Sequence, residues 1–143
     1  MQKITTYNPD QVRSPFAFFI LNKGMNTGKP LEHPCTNCFT FNATDQTEKD
    51  HFYWLCFGLW QSRSLHPYLS GSVIPFIHLR DLSQAINQAS EKAQANPGTF
   101  QKTVEALKIL DQHEKQYHRN LLLISEAKKA IFANYRSVPS FYR

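Results

Sequence analysis

The sequence predicts an α+β fold: a small sheet of about three strands packed on a buried aromatic helix, plus a long C-terminal helical hairpin. Three changes of pattern predict it. Two short aromatic runs, Phe16–Leu21 and Cys38–Asn42, are bounded by turn formers. An apolar run, Phe52–Trp60, follows a helix-capping signal. From Asp81 onward the apolar spacing becomes about 3.6, the helical period.

Phe-Ala-Phe-Phe-Ile-Leu at 16–21 lies between Pro15 and Gly24 and reads as a buried strand. Cys38-Phe39-Thr40-Phe41-Asn42 alternates apolar and polar residues, which puts Phe39 and Phe41 on one face of a second strand. The stretch between these strands is too long for a tight hairpin and predicts a long functional loop or an ordered excursion.

Asp45-x-x-Glu48 is a variant capping box that starts a helix running to about Arg63. Its centre is apolar nearly all round, so Trp54, Phe57, Leu59 and Trp60 are expected in the middle of the core. Ser72 to Leu79 reads as a third strand, which Pro75 moves toward an edge or bulge. Leu82, Ile86, Ala89 and Ala93 form a narrow stripe on a helix stopped by Asn96-Pro97-Gly98. Thr99 then caps a helix without Gly or Pro before Pro139.

In that last helix Phe100, Val104, Leu107, Leu110, Tyr117, Leu121, Ile124, Ile131 and Tyr135 stay within one slowly drifting sector, the mark of a near-heptad seam. The simplest reading is one helix of about 36 residues, some 54 Å at 1.5 Å per residue. The polar centre, Asp111 to Asn120, leaves a break into two helices over 99–135 as the alternative. Residues 1–143 are read as a single domain, with 16–80 supplying sheet and central helix and 81–136 the hairpin.

The chain is 41% hydrophobic and 13% aromatic, too apolar for disorder despite its net charge of +5. Residues 72–143 carry ten Lys/Arg against six Asp/Glu, so most of the excess lies in the second half. Positive charge favours nucleic acid or phosphate-bearing partners, and it also simply keeps a chain soluble. Three cysteines, an odd number, do not make a disulfide framework and suit a reducing compartment. No secretory signal and no membrane span is read, which points to the cytoplasm.

The loop Lys23-Gly24-Met25-Asn26-Thr27-Gly28-Lys29-Pro30 is the most ligand-like feature. Its glycines reach φ > 0 and could aim backbone N–H groups at an anion. It is not a P-loop: three residues, not four, separate Gly24 from Gly28, and Pro30 stands where a Mg²⁺-binding hydroxyl belongs. Lys23, Asn26 and Lys29 are therefore candidate polyanion contacts, with a structural turn as the alternative. Lys128, Lys129 and Arg136 stand among Phe132, Tyr135, Phe141 and Tyr142, and basic with aromatic residues can hold phosphates and stack bases, while cations also simply favour a helix C-terminus through its dipole.

His33-Pro34-Cys35-Thr36-Asn37-Cys38 has zinc-knuckle spacing but lacks a second ligand pair, so no metal or other cofactor is expected. Asp111, Glu114 and His118 share a helical face that a metal or partner could use, or that is simply solvated. The histidines are scattered and no catalytic motif is found, which argues against an enzyme.

Residues 19–30, 34–39, 53–60 and 71–76, from Phe19-Ile20-Leu21-Asn22-Lys23-Gly24 to Gly71-Ser72-Val73-Ile74-Pro75-Phe76, together resemble a family of small uncharacterised proteins. That family, a domain of unknown function, is found in gut-dwelling bacteria and loosely associated with mobile elements. The resemblance covers roughly residues 16 to 80 and implies no activity, cofactor or site residue. It tilts the expectation slightly toward a nucleic-acid-related accessory role. The leading expectation is thus a non-catalytic module binding nucleic acid or another polyanion, the second an interaction or structural module forming a homodimer through the C-terminal helix, and the third a small enzyme of unknown chemistry.

Overall fold

The structure is a computed structural model that describes residues 2–139. It contains a four-stranded sheet and three α-helices. Strands β1 (Ile4–Thr6), β2 (Phe18–Leu21), β3 (Pro30–Leu31) and β4 (Cys38–Phe41) lie in the order β1-β4-β2-β3, every pair antiparallel. Alternation along the strands gives the sheet two faces. On one, Phe18 stacks on Phe41 at 4.8 Å, and the pair meets the first helix through Phe52 and Tyr53. On the other, Phe19, buried beside Thr40, is covered by Tyr7 and by the Arg13 guanidinium 5.5 Å from its ring.

The two expected strands are present, and Phe39 and Phe41 do share a face. The expected third strand, Ser72 to Leu79, does not form. Pro75 has no N–H to donate, and this segment makes only isolated bridges from Phe76 to Ser70 and Lys23. In its place stand β1 and β3, three and two residues long, too short to show a period. Because β3 pairs with β2, the chain from Asn22 to Lys29 is a hairpin loop, not part of one long excursion.

Helix α1 (Gln46–Gln61) begins as the capping signal implies, with Asp45 accepting the Glu48 N–H at 2.7 Å. Glu48 reaches back one residue further than a standard box: its carboxylate accepts the Thr44 N–H at 2.9 Å and pairs with Lys3. The helix departs from the expected burial. Only Leu55 and Cys56 are buried, while Trp54, Phe57, Leu59 and Trp60 are half-buried. The sheet covers one side, and on another the rings partly cover each other, Trp54 against Phe57 at 4.9 Å and Phe57 against Trp60 at 5.6 Å.

The turn after α1 leads through a short 3₁₀ segment, His66–Tyr68, to Gly71. Gly71 has φ +93°, and an added Cβ would lie 2.4 Å from the Ile74 carbonyl oxygen. Ser70 and Phe76 close this turn by exchanging backbone hydrogen bonds of 2.9 and 3.0 Å. Gly71→Ala is expected to cost about 1–3 kcal/mol in a denaturation experiment, because a backbone atom cannot move aside.

Helix α2 (Leu79–Ala95) buries Leu82, Ala85, Ile86, Ser90 and Ala93 and packs on α1 and β1. One residue separates it from α3 (Pro97–Phe132). Asn96, not Thr99, caps α3: its side chain accepts the Thr99 N–H at 3.3 Å, and Pro97 takes the first helical position. All 36 residues are one helix, so its polar centre does not break it. Asp111 pairs with Lys115 at 3.0 Å and Gln116 with Asn120 at 3.0 Å, spacings that support a helix.

The chain divides into two compact units, 1–104 and 105–143, the cut falling inside α3. In the first, β2, β4, α1 and α2 supply one continuous apolar core that includes Phe18, Ile20, Phe41, Leu55, Leu82 and Ile86. The second contains the rest of α3 and a short 3₁₀ turn, Ala133–Tyr135. Among the described residues no helix is long and apolar enough to cross a membrane.

Candidate functional site

The glycine loop is built from its own backbone hydrogen bonds. The Gly28 N–H donates to the Leu21 carbonyl at 2.7 Å, Thr27 to Gly24 at 3.2 Å and Lys29 to Asn26 at 3.0 Å. Gly24 donates outward to Pro75 at 2.8 Å, and the Thr27 hydroxyl adds a bond to the Gly24 carbonyl at 2.6 Å. Four of the amides that would cradle an anion are thus already engaged. Gly28, at φ +96°, is buried where a Cβ would sit 2.3 Å from Leu65 Cδ1, so the glycine serves close packing.

Lys23 and Asn26 are exposed on this loop, and Lys29 lies over the Trp60 ring at 5.3 Å. Between loop and α1 end is a cavity of about 200 Å³ lined by Asn26, Thr27, Trp60, Arg63, His66 and neighbours. Arg63 adopts φ 60°, ending α1 without a glycine, which is why it does not stand out in the sequence. The cavity offers hydrogen-bond donors and the Arg63 cation.

Cys35 and Cys38 close a tight turn. The Cys38 thiol donates to the Cys35 carbonyl at 3.0 Å and accepts the Cys35 N–H at 3.4 Å. Burial above all pushes the Cys38 thiol up to about 11 and raises that of fully buried Cys56 further. Cys35, half-buried, is therefore expected to react first with a thiol reagent at pH 8, the other two lagging until unfolding. Equal rates in the native protein would contradict this placement. Among the described residues no three His, Cys, Asp or Glu side chains converge as a metal site. His51 touches Phe52 and Phe100, and burial lowers its pKa.

The residues singled out on α3 separate. Asp111 turns to Lys115, while Glu114 and His118 stand 3.8 Å apart in water, the geometry of a solvated face. Lys129 pairs with Glu126 at 3.2 Å, Lys128 is exposed, and Arg136 follows the short 3₁₀ turn. Phe141, Tyr142 and Arg143 lie outside the described residues. The apolar seam is the larger feature: Tyr117 is 66% exposed, Leu121 63%, Ile124 52%, Ile131 77% and Tyr135 77%. On α3 positions 117, 121, 124 and 131 keep the heptad spacing and make one stripe of side chains facing water, with Leu122 and Leu123 also exposed beside it, whereas Tyr135, expected to continue the helix, lies in the 3₁₀ turn that follows Phe132.

The family match runs over residues 4–134, from β1 to the turn after α3. The chain belongs to DUF6943, a family of unknown function. The DUF6943 match is wider than the resemblance read from residues 16 to 80, and it takes in both C-terminal helices. The chain matches no curated protein. This DUF6943 chain has a closed loop beside a small polar cavity in one unit and an exposed apolar stripe in the other.

Proposed function

We propose that this protein is a non-catalytic interaction module whose assembly surface is the apolar stripe of α3. One observation carries this: Tyr117, Leu121, Ile124 and Ile131 are all more than half exposed along one side of α3. Leaving such a contiguous stripe in water is unfavourable, and an apolar partner surface would remove it. A helix laid against an apolar partner is an economical mode, since its backbone bonds are already made. The test is sedimentation equilibrium over a concentration series, where mass is expected to rise above 16.6 kDa. The melting temperature should rise with concentration as well. A mass fixed at the monomer throughout would count against assembly of the chain by itself.

A second reading keeps nucleic acid or another polyanion as partner, met in a reducing, cytoplasmic setting. It draws on Arg63, His66 and Asn26 around the cavity and on exposed Lys23 beside it in the same loop. It ranks second because the loop amides donate within the protein, which leaves flexible cations without a built cradle. Lys23→Ala with Lys29→Ala should weaken binding uniformly across sequences and flatten the log–log salt slope by about 0.7 to 0.9 per lost phosphate contact. DNA and RNA titrations at several salt concentrations read this directly. No binding by the wild type at low salt would remove the second reading.

A further inference from the structure

We infer that the partner of the α3 stripe is a second copy of this chain, running antiparallel, with Glu114 of each copy set beside Lys128 of the other. This rests on the assembly reading above and names its partner and its direction.

In heptad spacing the stripe continues from Leu107 and Leu110 through position 114 to Tyr117, Leu121 and Ile124, then through position 128 to Ile131, one residue before α3 ends. Two charges therefore stand inside an otherwise apolar stripe. Glu114 is exposed, 3.8 Å from His118, and Lys128 is exposed on the same side. At 100° per residue both fall within about 40° of Leu110, so they point where a partner helix would lie. A charge at such a position lowers stability but selects register and orientation.

The spacing decides between orientations. Glu114 and Lys128 are two heptads apart, about 21 Å along the axis, with Leu121 midway. In a parallel in-register pair, Glu114 would meet Glu114 and Lys128 would meet Lys128, two layers of like charge. In an antiparallel pair centred near Leu121, each Glu114 lies within one helical turn of the other copy's Lys128, giving two opposite-charge contacts. The flanking positions cannot override this. His113, Asn120 and Ala127 on one side, with His118, Ser125 and Phe132 on the other, carry no fixed charge, and Asp111 is engaged with Lys115. A self-complementary stripe also fits a two-fold pair, in which one patch serves both partners.

The test uses the full chain with Glu114→Lys, Lys128→Glu and both together, each followed by sedimentation equilibrium, with circular dichroism as the check on helix content. Both residues face water, so the variants should fold. Antiparallel pairing predicts that each single reversal weakens association about ten-fold or more, since two attractive contacts become repulsive, and that the double reversal restores it. A parallel pair would show no such restoration: its like-charge layers remain like-charged in all three variants. Wild-type association with single variants unchanged would overturn the orientation while leaving assembly standing. A wild type that stays monomeric, or that associates only with a different protein, would overturn both the second copy and its direction.

Discussion

Phe41→Ala is expected to destabilise the protein by about 3–5 kcal/mol, the largest effect of any single truncation considered for this fold. Phe41 is 1% exposed on β4, the strand that joins β1 to β2, and every neighbour depends on its ring. Phe18 stacks on it at 4.8 Å from one side, Phe52 of α1 meets it at 4.8 Å from another, and the Lys3 ammonium lies 5.8 Å from its centre. Truncation would open a cavity where sheet and helix join, and the close-packed surroundings could relax only in part. Trp60→Ala should cost less despite removing a larger side chain, because Trp60 is half-buried and leaves a groove that water can enter. Urea denaturation of both variants gives the order. If Trp60→Ala were the costlier, the half-exposed placement of the α1 rings would be wrong.

That order reverses the emphasis of the sequence, and the reason is physical. An apolar run such as Phe52–Trp60 shows that covering is needed but not by what. Here part of the cover is the neighbouring ring on the same helix. Elements long enough to show a period were legible: β2, β4, α1 with its Asp45 cap, α2 and the unbroken α3. Strands of two or three residues carry no readable period, and β1 owes its place to pairing with β4, a partner some 35 residues distant. The Ser72 to Leu79 segment misled because β-branched and aromatic residues surround a proline that cannot complete a ladder.

The candidate site was legible in a different way. Gly24 and Gly28 correctly marked positive-φ positions. Composition could not tell whether the freed amides face a ligand or the protein's own carbonyls, and Leu21, Gly24, Asn26 and Pro75 supply the carbonyls. The α3 seam was visible from its spacing, whereas its exposure is a tertiary fact, since the same pattern describes a helix covered by its own chain. Arg63 gave no signal, because a non-glycine residue at φ 60° leaves no trace in a sequence.

The exposure of that seam yields the second large effect. Leu121→Asp combined with Ile124→Asp is expected to abolish association over the concentrations at which the wild type assembles, while leaving the folded monomer intact. The two side chains are 63% and 52% exposed, so the monomer has little burial to lose there, and substitutions at such positions usually change stability by less than about 0.5 kcal/mol. In the assembled state each would be buried near the centre of the contact. Losing roughly 1.5–3 kcal/mol of apolar burial per residue, on both copies, and placing carboxylates there instead would weaken the complex more than about a thousand-fold. The two introduced carboxylates would also sit in mid-helix at some cost in propensity, roughly half a kcal/mol each, so helix content is measured alongside mass. The expected pair of results is a monomeric mass with a dilute-solution denaturation midpoint close to wild type. A variant that is monomeric but also largely unfolded would show that the stripe serves the fold of the single chain, and the assembly reading would fail. A variant that still associates like the wild type would place the contact elsewhere on the molecule and defeat the same reading from the opposite side.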